Sequence, residues 1–324
     1  CLPLDMARFI IKRILQIIPM LLVVTIFAFC LSNLASGDIA EISIRSSGGQ
    51  VTTENLAQAR IDLGLDQPLV IQYFNWLGKA VRFDFGNSFI SGKPVINEIM
   101  SRFPNTLYLV LIASVMAIVV AVPIALLSAR YSGSVLDQGL RVVTTVGATM
   151  PEFWLGLLLL YSFAIHLGVV PVIAGSNIAN IFLPAFTLCL SYSAVYIRML
   201  RANLIEVRRS NYFKAARSKG MSEGSAMVRH GLKNATLPCV TLIATNFGGM
   251  ISGGFAVETI FSWNGVARYA IESVKAKDIP VIECYLLLVA LAYIIVNLIV
   301  DIIYQYIDPK IKLQGGRRRL WFKR

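Results

Sequence analysis

Charge is what this chain has least of. Only 15% of its 324 residues are Asp, Glu, Lys or Arg, against about 25% in an ordinary soluble domain, and its mean hydropathy is +0.67. With 56% of residues in the hydrophobic set, there is too little polar surface to cover a water-soluble globule, so a polytopic membrane protein is expected. Acids are scarcer than bases, 18 against 30, which leaves a net charge of +12. In a soluble protein that excess would point to nucleic acid; in a membrane protein the placement of the cations decides. The five cysteines are scattered without a Cys-x-x-Cys pair, which excludes a disulfide framework or zinc ribbon. His166 and His230 stand apart, with no His, Cys or carboxylate three or four residues on, so no metal site is expected. No Gly-x-x-x-x-Gly-Lys-Ser/Thr run occurs, which excludes a nucleotide-phosphate loop of that kind.

Long apolar runs, in contrast, are plentiful. A bilayer core about 30 Å thick requires roughly 20 apolar residues in a helix, because backbone polar groups there must bond to one another. Six stretches qualify: 14–34, 107–129, 142–167, 178–197, 237–257 and 281–303. Pro151-Glu152 interrupts the third, and Pro184 and Pro238 lie in the fourth and fifth. Kinks rather than breaks are expected there, since neighbouring helices re-satisfy the freed carbonyls. The first span follows Arg8, Lys12 and Arg13 as a signal peptide would, but it exceeds an apolar region of about 7–15 residues and is expected to stay as an anchor. Residues 1–5 precede Met6 and are expected to be foreign to the natural chain, as is part of the end beyond Gln314.

Six spans put both termini on one side, and 21 of the 30 cations fall there: nine in 198–236, seven from Lys310 onward, and the rest near Arg8 and between Arg130 and Arg141. The positive-inside rule makes that side the cytoplasm. Topology thereby accounts for most of the +12, and no nucleic-acid partner is expected.

The outer loop 35–103 is too long for a simple connection. Residues 55–62 read as a helix bounded by Gly64. After Pro68, Leu69, Val70, Tyr73, Phe74, Leu77 and Val81 recur at three- and four-residue steps, predicting an amphipathic helix that packs on the other helices or the membrane, or receives an external partner. In the inner loop 198–236, Ser210 can cap a short helix through Tyr212, Phe213, Ala215 and Ala216, closed by a left-handed Gly220. Ser222 can cap a second helix, with Glu223 near its positive end, continuing through Met227 and His230. Two short cationic helices with exposed aromatics form either a platform for another protein or a solvated cationic loop.

Ala216-Arg217-Ser218-Lys219-Gly220 and Asn234-Ala235-Thr236-Leu237-Pro238 resemble the cytoplasmic EAA-type loop of ABC importer permeases of the peptide/nickel group. The likeness runs from Met6 to about Leu313, through Leu63-Gly64-Leu65-Asp66-Gln67-Pro68-Leu69, Asp84-Phe85-Gly86, Met150-Pro151-Glu152-Phe153-Trp154, Leu200-Arg201-Ala202, Ile260-Phe261-Ser262-Trp263 and Asp308-Pro309. The Met-Pro-x-Phe-Trp stretch and Pro280-Val281-Ile282 look closer to the nickel-import permease. Two positions depart from the group: Lys214 stands where the acidic residue of the EAA name would be, and Trp263-Asn264-Gly265-Val266-Ala267 replaces Trp-Pro-Gly-x-Gly.

The resemblance implies an all-α type I ABC importer permease with six transmembrane helices and a large extracytoplasmic loop between helices 1 and 2. Its segments would be 6–35 (tail and first helix), 36–104 (outer loop), 105–309 (permease core with coupling loop 198–236) and 310–324 (basic tail). Such a permease moves small peptides or nickel and other metal chelates into the cytoplasm across the bacterial inner membrane by ATP-driven alternating access. It is not itself an enzyme and holds no cofactor: two separate ATPase subunits would bind Mg-ATP and press on Tyr212, Phe213, Lys214, Ala215, Ala216, Arg217, Lys219, Gly220, Met221 and Ser222, followed by Leu237 and Pro238 at the fifth span. A second similar permease, giving a heterodimer, an extracytoplasmic binding protein and membrane lipids would complete the assembly. Gly248, Gly249, Gly253 and Gly254 suit close helix packing, within the subunit or across to its partner, or pathway lining. Asp301 and Glu283 are expected at the membrane interfaces, whereas Glu152 lies within a span. The alternative, an ion- or proton-coupled transporter without ATPase, would require an internal repeat or a charged midplane site.

Overall fold

A computed structural model describes residues 4–34, 38–46 and 48–307, and among them no β-strand is present. The expected foreign ends, Asp308-Pro309 and the basic tail lie wholly or largely outside the described residues. Four helices are long and apolar enough to cross a membrane: α1 (Leu4–Leu34), α5 (Val95–Arg130), α8 (Phe182–Arg209) and α15 (Ile279–Ile307). Two bent pairs bring the number to six if each pair counts as one span. The first joins α6 (Val135–Thr149) to α7 (Glu152–Leu159), which runs on through a π-helical stretch, Leu160–His166; the two halves meet at 103°.

The kink expected at Pro151 is therefore a break. Proline disfavours the helical conformation in the residue before it, and Met150 is extended (φ −68°, ψ 128°) while Pro151 leads into the next helix. The second pair bends by 57°. It consists of α10 (Glu223–Ala226), a π-helical turn (Met227–Gly231) and α11 (Leu232–Ala235), followed by α12 (Leu237–Gly253). Pro238 opens α12 rather than kinking it, and Pro184 lies in the first turn of α8, positions where a missing N–H leaves no bond unmade. A 3-10 turn, Ile178–Asn180, leads into α8.

The central packing is α5 against α8. Ala113, Ala117, Ala121, Ala125 and Ala129 recur every fourth residue of α5 and are all buried, so the helix offers one smooth face on which α8 can lie closely. The glycines of α12 divide. A Cβ on Gly248 would come 2.3 Å from the Tyr293 ring of α15, and one on Gly254 would meet the Met250 carbonyl oxygen at 2.7 Å, whereas Gly249 and Gly253 border open space. Gly248 thus serves packing within the subunit, and the other face of α12 is uncovered.

The outer loop folds as α2 (Ile39–Ser46), α3 (Thr53–Asp62) and α4 (Leu69–Ala80). Thr52 caps α3 by accepting from the Asn55 N–H, and Gly64 follows at φ +68°. The Arg60 guanidinium, 2.6 Å from Asp38, holds that carboxyl below its usual range. α4 leans on α1 through the Tyr73 and Thr25 hydroxyls, 2.9 Å apart. Glu283 is enclosed within the fold: it is 9% exposed, and its carboxylate accepts from Ser32 of α1 at 2.5 Å and from the Trp76 indole of α4 at 2.6 Å. Two donors from two other helices make burial of this acid tolerable. Asp301 pairs with Arg13 at 3.1 Å and remains partly exposed.

On the same side as α4, α13 (Phe255–Ile260) and α14 (Val266–Ala276) close the fold. The buried Glu258 carboxylate accepts from Thr106 of α5 at 2.6 Å and from the Arg268 N–H at 2.8 Å, while Thr106 accepts from the Val266 N–H at 2.8 Å. Thr106 and Glu258 thereby cap α14 from outside it. A Cβ on Gly265 would fall 2.1 Å from Glu258 Oε1, so the glycine retained in this chain's Trp263-Asn264-Gly265 variant is required by the acid beneath it. Burial pushes Glu258 up from 4.5 to about 7. Because the folded state holds this proton more tightly than the unfolded chain, stability falls as pH rises from about 4.5 to about 7. Thermal unfolding of detergent-purified protein at pH 5 and 8 is expected to show the lower midpoint at pH 8, with a smaller difference in Glu258→Gln.

Candidate functional site

The segment in which coupling residues are expected is built outward from α8. Ser210 ends α8 in an extended conformation (φ −71°, ψ 152°) and its hydroxyl donates back to the Val207 carbonyl at 2.5 Å. Ser210 therefore stands at the N-cap position of α9 (Asn211–Ser218) without capping it by its side chain. At the far end the sequence expectation holds in detail. Gly220 adopts φ +86°, its N–H donates to the Arg217 carbonyl at 3.0 Å, and the Met221 N–H donates to the Ala216 carbonyl at 3.4 Å. This pair of bonds is a Schellman closure, which needs a left-handed residue at the position Gly220 occupies. Ser222 then caps α10 by accepting from the Ser225 N–H at 3.3 Å. The second helix expected through Met227 and His230 is instead interrupted by the π-helical turn.

Placement separates the aromatic pair. Tyr212 is 45% exposed and Phe213 only 4%. Phe213 was expected to be an exposed anchor; it lies instead in the core with Leu200, Leu204, Ala226 and Met227. In an eight-residue helix only one narrow face can meet the body of the protein, and Phe213 occupies it. Ala216 and Met221 are partly buried against the same core. Tyr212, Lys214, Ala215, Arg217, Lys219, Gly220 and Ser222 face outward, as does Pro238 at the head of α12. The outward surface therefore carries three cations, one tyrosine and small residues.

Polar links tie this surface to the membrane helices. Arg208 of α8 pairs with Glu223 at 2.6 Å, and Asn203 donates to the Ala235 carbonyl at 3.0 Å. One turn deeper, Arg201 grips the buried Asp137 of α6 through two bonds of 2.7 Å, from Nε and Nη2. Asp137 also accepts from Ser128 of α5 at 2.5 Å and from the Gly133 N–H at 2.9 Å. One carboxylate thus joins α5, α6 and α8 beneath the coupling segment. In the sequence Asp137 carries no signal beyond its place after Ser134 at a helix start, and Arg201 stands out only as one of the nine cations of 198–236 and within the Leu200-Arg201-Ala202 stretch.

The exposed side of α12 carries small and polar residues. Thr245, Ser252 and Gly253 are exposed and Gly249 half-exposed; Ser252 satisfies its hydroxyl on the Gly248 and Gly249 carbonyls. On α7 the exposed residues include the large apolar Phe153, Trp154 and Leu157, whereas α6 also exposes Thr145 and Thr149. Among the described residues no group of three His, Cys, Asp or Glu could hold a metal ion.

Known families and proteins resemble this chain over most of its length. Residues 121–313 match the family model of the binding-protein-dependent transport system inner membrane component, and residues 6–110 match the model of its N-terminal part. The glutathione transport system permease protein GsiC of Escherichia coli strain K12 is 35% identical over 307 residues, covering 95% of this chain and 99% of the relative. GsiC of Shigella flexneri serotype 5b is 34% identical over the same length. A solved structure titled as an amino acid ABC transporter with histidines overlaps 68% of this chain and 94% of its own at 21% identity, with a TM-score of 0.44. A membrane helix bundle, matched over nearly its whole length by the two family models and by GsiC, belongs to the binding-protein-dependent inner membrane component family: it is the permease component of an ABC importer, works with separate ATPase and substrate-binding proteins, and is not itself an enzyme.

Proposed function

We propose that this permease imports short peptides, in partnership with a second, similar permease, and that ATPase subunits drive it through the surface of α9 and the turn at Gly220. The observation that carries the coupling reading is the division of α9: Phe213 is locked into the core while Tyr212, Lys214, Ala215, Arg217 and Lys219 are presented outward on a segment joined to α8 and α12. A helix anchored by one side and free on the other can transmit a push to the helices that flank it. Closure of Mg-ATP-loaded ATPases would shift the permease between its two access states only through contacts that differ between them.

The pathway in this reading runs along α12. Small and polar side chains exposed at membrane depth suit a water-filled route or a neighbouring protein better than lipid, and Thr245, Gly249, Ser252 and Gly253 supply such a strip. The coupling segment faces the cytoplasm in this reading, supported by the concentration of cations there. The glutathione permeases among its relatives favour a peptide over the nickel chelate to which the Met-Pro-x-Phe-Trp stretch pointed. Binding of glutathione, dipeptides and nickel chelates to the cognate binding protein tests the cargo: peptide binding in preference to the chelates is expected, and chelate binding alone would reverse the assignment.

The two aromatics give a sharp test of coupling. Tyr212→Ala is expected to weaken association with the ATPase subunits at least tenfold, with thermal stability unchanged, because exposed tyrosines rank among the strongest contributors to interfaces. Phe213→Ala is expected to destabilise the permease by about 3–5 kcal/mol, the range for truncating a buried phenylalanine. Co-purification titrations and thermal unfolding of both variants separate the two roles; equal ATPase binding by Tyr212→Ala and wild type would remove α9 from the docking surface.

A further inference from the structure

We propose that the cleft between α1, α4, α5 and α15 holds an acyl chain of an anionic phospholipid from the membrane leaflet opposite the coupling segment. The cleft has a volume of about 410 Å³, and Leu21, Leu22, Leu77, Phe85, Met100 and Leu288 are among its walls. Its one hydroxyl, on Thr25, is already engaged with the Leu22 carbonyl at 2.7 Å and the Tyr73 hydroxyl at 2.9 Å. A buried water needs two to four polar partners, which these walls do not supply, so the space suits hydrocarbon.

The surroundings identify where the hydrocarbon comes from. Val70, Phe74 and Val81, on α4 and just past its end, are 66%, 63% and 73% exposed, a pattern that fits a helix bedded among acyl chains. Tyr73 and Trp76 on the same helix are residue types that settle at the membrane interface. Lys79 and Arg82 bracket the cleft-lining Ala80 and Val81, and both are exposed. Among the described residues neither forms an ion pair with a carboxylate. The nearby Asp84 instead accepts from the Gly86 N–H at 3.1 Å. Two free cations beside the mouth of an apolar cleft at interface depth match one phosphodiester headgroup with its chain inserted. The inference needs only that the chain is membrane-embedded, and stands apart from the coupling and cargo readings.

The test uses the assembled transporter, delipidated in mild detergent and re-exposed to phosphatidylglycerol or phosphatidylcholine of identical chains, with bound lipid counted by native mass spectrometry. Wild type is expected to retain phosphatidylglycerol at least fivefold over phosphatidylcholine. The double variant Lys79→Gln/Arg82→Gln is expected to lose that preference. Leu22→Trp, at a partly exposed wall position able to accept the larger ring, is expected to lose retention of both lipids, and Leu77→Trp provides an independent check. Equal retention of the two lipids by wild type, retention unchanged in both tryptophan variants, or a helix of the companion permease filling the cleft in the assembled transporter would each overturn the proposal.

Discussion

Gly220→Pro is expected to abolish ATP-driven uptake, by a hundredfold or more, while the protein still inserts into the membrane. Two features of the turn fail together. Proline fixes φ near about −65°, whereas position 220 requires φ +86°, and the N–H that proline lacks is the one that donates to the Arg217 carbonyl at 3.0 Å. The Schellman closure cannot form, so α9 loses its defined end and its angle to α10. The membrane helices themselves are untouched, because Phe213 and Met227 anchor the segment on either side of the turn. Uptake and ATPase activity measured together in proteoliposomes should show transport lost and hydrolysis no longer stimulated by loaded binding protein. Gly220→Ala provides the graded control: a left-handed alanine costs roughly 1–2 kcal/mol, and partial activity is expected. Full uptake by the proline variant would mean that the turn transmits nothing.

Asp137→Ala is expected to destabilise the fold about as strongly as Phe213→Ala. Asp137 is 1% exposed and receives Arg201, Ser128 and the Gly133 N–H. Truncation strands the Arg201 guanidinium, itself largely buried at 17% side-chain exposure, against an apolar helix seam. Breaking one partner of a buried pair costs about 3–5 kcal/mol, whereas replacing both with apolar residues is often nearly neutral. The double variant Asp137→Ala/Arg201→Met is therefore expected to recover most of the loss seen in the single variant. Unfolding of the purified variants measures both; an additive double variant would show that the pair does not act as a unit.

The long apolar runs made the order of the apolar helices legible, and the left-handed Gly220 could be read from helix grammar because a Schellman end leaves a local chemical signature. The break at Pro151 could not be read in the same way. A proline inside a span permits either a kink or a turn, and the outcome depended on whether Met150 stayed helical, which tertiary packing decides. The Ala113 to Ala129 ladder was visible as spacing, but only the partner helix gave it meaning. Phe213 and Tyr212 are chemically similar and adjacent, so nothing local told which would face the core. Asp137, Glu258 and Glu283 became identifiable only when donors more than 60 positions away converged on them, as Arg201, Thr106 and Trp76 do. All three prove to link helices, and Glu258 also caps α14 from outside.

The central claim is that this chain is a passive gate driven from outside by ATPases. Reconstitution decides it most directly: radiolabelled peptide uptake into proteoliposomes containing this permease, its companion permease and the ATPases, with loaded binding protein outside and Mg-ATP inside. Uptake that requires both Mg-ATP and binding protein, and vanishes when this chain is present alone, is the predicted result. Uptake by this chain alone, driven by an imposed ion gradient and indifferent to ATP, would contradict the account.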